Sequence, residues 1–159
     1  MISFEVPGEP CGKGRPRIVK IAGFSRMATP EKTVAYEGLI AHAAAQVMAG
    51  APPLTGPVWL NVEMHFGVPA SWSKKKREQA LLGLIRPTKK PDFDNVLKAV
   101  CDGLNGVAWV DDAQVVGGDF KKVYSDRPRV SVVVSSCDDG GFTVPVTFRE
   151  MIMARVGIA

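Results

Sequence analysis

Alternation of apolar and polar positions is clearest from Val58 to Phe66, where Val58, Leu60, Val62, Met64 and Phe66 fall at every second residue. A period of two puts these side chains on one face of an extended strand, and that face is expected to pack on a helix. Ile2-Ser3-Phe4-Glu5-Val6 alternates in the same way and reads as an opening strand, turned by Pro7-Gly8-Glu9-Pro10. Ile18-Val19-Lys20-Ile21 reads as a short strand after a basic loop. Two further strands are predicted over about 114–124 and 129–135, with Gly117-Gly118 marking a bulge or a close backbone approach.

Helical spacing appears in three places. Thr29-Pro30-Glu31 supplies an N-cap and a first-turn proline for an Ala-rich helix reaching about Met48. Ser73 caps a strongly basic helix through Leu82. Val96, Leu97, Val100, Cys101 and Leu104 recur at intervals of three and four, which predicts a helix from about Asn95 to Leu104 with Asn105-Gly106 as its stop. The order β, β, α, β, α, α, β, β predicts an α/β (α+β) domain over residues 1–136, a mixed sheet with helices packed on it. Residues 137–159 read as a C-terminal extension with no assignable element.

Composition narrows the class. The chain has 159 residues, 46% hydrophobic and 23% charged, which fits an ordinary globular domain. No run approaches the roughly 18 apolar residues of a membrane span, and the N-terminus lacks a signal-peptide layout, so a cytoplasmic protein without a membrane partner is expected. Cys11, Cys101 and Cys137 lie far apart without Cys-x-x-Cys spacing or His partners, which argues against zinc and for reduced, structural thiols. The two histidines, His42 and His65, fall in the Ala-rich helix and the long strand and read as structural.

Charge changes the picture further. Residues 1–90 hold 13 Lys or Arg against 6 Glu and no Asp, whereas residues 91–159 hold 7 basic and 10 acidic residues. Sorting of this kind suits a polyanionic partner held by the basic part, although solvated charges sorted by chance give the same pattern. Asp92 and Asp94 sit at i and i+2, so in extended backbone they project to one side just ahead of the third helix. Asp111-Asp112 follows the apolar turn Val107-Ala108-Trp109-Val110, and a helix folding back there brings a third carboxylate toward the first two. Converging carboxylates repel one another unless a divalent cation offsets them, and Mg²⁺, which takes oxygen ligands and couples to phosphate oxygens, is the natural candidate. Lys98, one turn after Asp94, either contacts a phosphate or forms a salt bridge to Asp94 or Asp102.

Plainer readings stand beside these. Asp92 and Asp94 suit helix capping, and Asp111-Asp112 suits a turn. Asp92-Phe93-Asp94-Asn95-Val96-Leu97 also shares letters with haloacid-dehalogenase-type phosphatases, but the buried strand that precedes that motif is replaced here by Arg86 to Pro91. A calcium EF-hand loop needs Gly and Glu where this chain has Leu97 and Gly103. A non-catalytic module for branched or single-stranded DNA is the remaining alternative.

Lys90-Pro91-Asp92-Phe93-Asp94-Asn95-Val96-Leu97-Lys98-Ala99, then Asp102-Gly103-Leu104-Asn105-Gly106, then Asp111-Asp112-Ala113-Gln114-Val115 resembles the RusA family of Holliday-junction resolvases, common in prophages. Gly14-Arg15-Pro16-Arg17 and Tyr36-Glu37 are similar to its phage-type members. The resemblance implies a homodimeric, Mg²⁺-dependent endonuclease, with Mn²⁺ as a substitute ion, that resolves four-way junctions by paired nicks in recombination and repair. It implies Asp92, Asp94 and Asp112 as metal ligands, Lys98 as the catalytic lysine and Asp111 as an auxiliary ligand or hydrogen-bond acceptor. The basic candidates for DNA phosphates are Lys13, Arg15, Arg17, Lys74, Lys75, Lys76, Arg77, Lys89 and Lys90, each of them as readily a solvated surface charge.

Overall fold

The computed structural model describes residues 1–21 and 23–137. Residues 138–159, nearly all of the expected C-terminal extension, lie outside the described residues. The strands are β1 (Ile2–Pro7), β2 (Arg17–Ile21), β3 (Phe24–Ala28), β4 (Val58–Gly67), β5 (Val115–Gly117), β6 (Phe120–Ser125) and β7 (Arg129–Ser136). The helices are α1 (Glu31–Met48), α2 (Lys74–Leu81) and α3 (Phe93–Leu104). The result is one α+β domain with a mixed sheet. No helix among the described residues is long and apolar enough to cross a membrane.

β4 is the centre of the sheet. It pairs antiparallel with β7, which pairs antiparallel with β1, and on its other edge it pairs parallel with β5 and β6. The register aligns apolar residues in rows across three strands: Ile2, Val134 and Leu60; Phe4, Val132 and Val62; Val6, Val130 and Met64. All of these are buried. The opposite face is polar, and there Glu5 meets Arg129 at 2.9 Å and Arg127 at 3.2 Å while Glu63 meets Lys121 at 3.2 Å. Burial pushes the Glu5 carboxyl up, but the Arg129 hydrogen bond and charge, with Ser131 and Arg127, hold it below the ordinary glutamate range. Central position buries polar residues as well: Asn61 and His65 are buried on β4, and burial outweighs the attraction of Glu63, 3.8 Å away, to push the His65 imidazole down and favour its neutral form.

Three expectations are corrected. The short strand at 18–21 does not stand alone: it forms a separate two-stranded ribbon with β3, which the hydrophobic pattern did not mark because both faces of the ribbon are largely exposed. The strand expected over 114–124 is broken into β5 and β6 after a 3-10 turn at Asp112–Gln114. Its break lies at Gly117-Gly118, where a Cβ would run into Trp59 and the Leu60 carbonyl, so the close backbone approach expected there is present. At the start of α1 the cap residue is Pro30 rather than Thr29, and its carbonyl accepts from the Thr33 and Val34 amides at 2.9 and 3.2 Å. His42, read as structural, is exposed on α1, and Ser73 caps α2 as expected by accepting from the Lys76 amide.

α3 packs against α1, and α1 against β1, so the two helices cover the apolar face of the sheet. Val96, Ala99, Val100, Gly103 and Leu104 form the buried side of α3. A Cβ at Gly103 would lie 2.8 Å from the Glu37 carbonyl oxygen and 2.9 Å from Ile40 Cβ. Backbone cannot step aside as a flexible side chain can. Gly103→Ala is therefore expected to cost about 1–3 kcal/mol through overpacking, seen as a fall of several degrees in melting temperature, even though alanine favours helix. An unchanged or higher melting temperature would show that the helices separate without strain.

Candidate active site

The exposed side of α3 carries Asp94, Lys98 and Asp102 at intervals of four, so they line up along one helix surface. Asp92 stands just ahead at the N-cap position, in extended backbone with φ −67° and ψ 147°. A carboxylate at that position ordinarily accepts from first-turn amides, but the Asp92 side chain makes no such bond. Neither the Asp92 nor the Asp94 carboxylate has a hydrogen bond or ion pair among the described residues, so capping does not occupy them. Lys98 is likewise without a salt bridge among the described residues: Asp102 pairs with Lys13, and Asp94 is not joined to Lys98.

These groups face a basic loop across a cleft of about 530 Å³. α3 and its lead-in contribute Asp92, Asp94, Asn95 and Lys98, and the loop contributes Lys13, Gly14, Arg15 and Pro16. Two glycines let the loop lie this close. A Cβ on Gly12 would sit 3.0 Å from Pro91 Cβ, and one on Gly14 would sit 2.8 Å from Pro30 Cγ. The Lys13 amide donates to the Asn95 carbonyl at 2.9 Å and the Gly14 amide donates to Thr33 Oγ1 at 2.9 Å. The Lys13 ammonium then bonds the Asp102 carboxylate, which ties the loop to the middle of α3.

That ammonium sits among carboxylates. The hydrogen bond to Asp102 raises the Lys13 pKa most, and the charges of Asp102, Glu37 and Asp112 add to it against partial burial. Glu37 is raised as well, by burial first and by Asp102 next, with Lys13 opposing. Lys13, expected as a phosphate contact, is thus already engaged as the counter-ion of Asp102, tying its loop to α3.

Asp112 does not line the cleft, yet it lies near enough to act on Lys13 and Cys101. Its Oδ1 accepts from the indole of the fully buried Trp109 at 2.8 Å, which fixes the side chain, and its other oxygen has no partner among the described residues. Asp111 behaves differently: its carboxylate accepts from the Ala113 amide at 2.8 Å and caps the 3-10 turn. Gln114 completes that turn by accepting from the Val110 and Asp111 amides and donating to the Leu54 and Gly56 carbonyls. The structure therefore joins Asp92, Asp94 and Lys98 in one cleft and leaves Asp112 on the adjacent turn. No group of three or more His, Cys, Asp or Glu side chains among the described residues is gathered closely enough to hold a metal.

Several positioning residues carried no local signal. Lys122 on β6 donates to the carbonyls of Lys89 at 2.6 Å and Pro91 at 3.1 Å, pinning the segment that delivers Asp92. Trp109 and Gln114 do the same for Asp112 and Asp111. Of the remaining basic candidates, Arg15 lines the cleft and Arg17 follows it at the start of the ribbon. Lys89 and Lys90 are exposed just ahead of Asp92. Lys74, Lys75 and Arg77 are exposed on α2, beside β6 and outside the cleft lining, and Lys76 lies 4.0 Å over the Trp72 ring, which packs edge-on against Tyr124.

Comparison with known proteins bears on the family of the chain. A family model described as endodeoxyribonuclease RusA matches residues 7–135. The chain is also 42% identical over 135 residues to a Bacillus subtilis (strain 168) protein described as "Uncharacterized protein YqaN", an alignment that spans 84% of this chain and 94% of that protein.

Cys101 gives a direct check on the packing behind the cleft. Burial, with the charges of Asp112 and Asp102, pushes its thiol up to about 12, so the reactive thiolate is scarce at neutral pH and grows tenfold with each pH unit below that value. Iodoacetamide at about pH 8 should label Cys101 far more slowly in the native protein than in denaturant, as read by peptide mass mapping. Equal rates would mean that the thiol is neither buried nor faced by those carboxylates.

Proposed function

Because the chain belongs to the RusA endodeoxyribonuclease family, we propose that it is a Mg²⁺-dependent, structure-specific nuclease that resolves four-way DNA junctions by paired nicks. The observation that carries this reading is the pair of carboxylates, Asp92 and Asp94, that have no partner among the described residues and share a cleft with Lys98, likewise unpaired there, and with Arg15.

The donor set suits a hard divalent cation: exposed carboxylate oxygens with no competing partner among the described residues, and a third carboxylate, Asp112, held by Trp109 on the neighbouring turn. Asp92, Asp94 and Asp112 would hold the ion, and Asp111 is a weaker candidate because its carboxylate already caps a turn. The bound cation supplies Lewis-acid activation of water and of the phosphate. Lys98 then places a fixed positive charge where negative charge grows on the phosphorus oxygens. Arg15, Arg17, Lys89 and Lys90 bind flanking phosphates, and Lys74 to Arg77 extend that contact, giving binding that depends on shape and salt rather than on sequence. Lys13 acts as an anchor for the loop that carries Arg15.

A homodimer completes the reading. A four-way junction is close to two-fold symmetric, so an isologous pair of chains presents two equivalent clefts for two symmetric nicks.

The test incubates the protein with a synthetic four-way junction and with linear duplex, in Mg²⁺, in Mn²⁺ and in EDTA, and maps the nicks. Symmetric nicks in the junction with either ion and none in EDTA are expected. Asp92→Asn, Asp94→Asn, Asp112→Asn and Lys98→Met should each lower the cleavage rate by about two orders of magnitude or more. The Asn variants should bind the junction as well as the parent or better, since they remove charge that repels phosphate. Tight junction binding without metal-dependent nicking would falsify the nuclease and leave a binding module.

A further inference from the structure

The ribbon of β2 and β3 has the composition of an interaction surface and no role in the core. Two-stranded ribbons are marginal on their own, so this one depends on its anchored base, where Gly12, Lys13 and Gly14 fasten the preceding loop to α1 and α3. Beyond that base its apolar side chains are turned to solvent: Ile18 is 70% exposed, Phe24 76% and Met27 68%. Ile18 and Met27 are directly paired across the strands, with Lys20 and Ser25 two residues further on the same face. Arg26 and Val19 pair on the other face, one step from Arg17. Phe24 follows Gly23, whose φ of +83° makes the turn.

Every charge on this ribbon is positive. Between Pro10 and Pro30 the chain has Lys13, Arg15, Arg17, Lys20 and Arg26 and no acidic residue. Large exposed apolar groups on a soluble domain mark a contact surface, and uninterrupted cations choose a polyanion as its partner. The position is equally informative. The ribbon begins at Arg17, directly after Arg15 and Pro16 of the cleft lining, so a strand lying in the cleft against Asp92 and Asp94 continues along it.

We infer that the β2–β3 ribbon is the element that reads DNA branching: Phe24, which pairs with Ile21 at the tip on the face of Val19 and Arg26, packs against bases left unstacked at a branch point while Arg17 and Arg26 on that face, with Lys20, hold the flanking phosphates. Intact duplex offers phosphates to the cations but keeps its base faces covered. A branch point or single strand exposes them, and apolar or aromatic side chains gain by covering them. The cations supply affinity for any DNA, and Phe24 supplies the preference for branched DNA. This inference rests on the proposal that the cleft holds DNA, and it needs no cleavage to be tested.

The experiment uses the full chain in EDTA and a four-way junction carrying 2-aminopurine beside the branch point, with linear duplex of the same sequence as the comparison. Binding should change the 2-aminopurine fluorescence. Phe24→Ala should abolish that change and weaken junction binding by about tenfold while duplex binding stays near that of the parent. Ile18→Ser with Met27→Ser, on the opposite face, should leave the junction preference near that of the parent, and Arg17→Ala, Lys20→Ala and Arg26→Ala should weaken both substrates alike and flatten the salt dependence. Phe24 is exposed, so circular dichroism and melting temperature should not move.

Parent-like junction affinity and fluorescence in Phe24→Ala would overturn the inference. So would Phe24→Ala splitting a dimer in light scattering with its junction preference intact, which would make the ribbon a contact between copies, and so would anionic vesicles competing as well as the junction. The two proposals fail separately: a fluorescence response without nicking in Mg²⁺ removes the nuclease and keeps the ribbon, whereas nicking with a silent Phe24→Ala removes the ribbon and keeps the nuclease.

Discussion

The close contact between α1 and α3 at Gly103 governs the rest of the site. With no side chain there, α3 settles onto the backbone of α1 and buries Val96, Val100 and Leu104. Those three residues fix the rotation of the helix about its axis. The opposite side, carrying Asp94, Lys98 and Asp102, is thereby committed to the surface that the basic loop covers. The same contact sets Glu37 beside Asp102 and so creates the acidic surroundings that Lys13 enters. A packing constraint between two apolar faces thus determines an electrostatic arrangement on the outside.

Charge is distributed unequally within that arrangement. Lys13 is matched to Asp102 and feels Glu37 and Asp112, so this acidic group has a cation of its own. The side chains of Asp92, Asp94 and Lys98 have no protein partner among the described residues. Proteins tend to satisfy charges whose task is structural, and they leave unsatisfied those whose partner comes from outside. The division falls along one helix face, with the matched residue at its C-terminal half and the unmatched ones at its N-terminal half.

The sequence made much of this legible, for identifiable reasons. β4 and α3 were clear because each buries one face with a strong period, two in the strand and about 3.6 in the helix. The acidic residues were singled out because their spacing exceeds what capping requires, and the RusA resemblance added the family. β3 was missed because a ribbon exposed on both faces has no buried period to detect, and the 3-10 turn because it is too short to have one. The roles of Lys122, Trp109 and Gln114 were also invisible. Each is set by partners distant along the chain or by burial, as when Lys122 on β6 reaches the carbonyls of Lys89 and Pro91. Lys13 carries the same lesson in reverse: local composition grouped it with DNA contacts, and the fold gave it Asp102.

The pairing of β1 with β7 has a consequence for how the protein comes into being. β1 is the first element of the described fold to leave the ribosome, but its partner strand is the last, with Ile2 opposite Val134. Contacts so distant in sequence form slowly, because the entropy of closing the loop is lost before any pairing repays it. Until β7 arrives, β4 lacks one neighbour and β1 has no strand joining it to the sheet that the helices cover. The cleft, assembled from residues 13–16 and 92–98 on that platform, is therefore a late product of synthesis. A nascent chain holds all of its aspartates up to Asp126 before it holds the scaffold that aligns them.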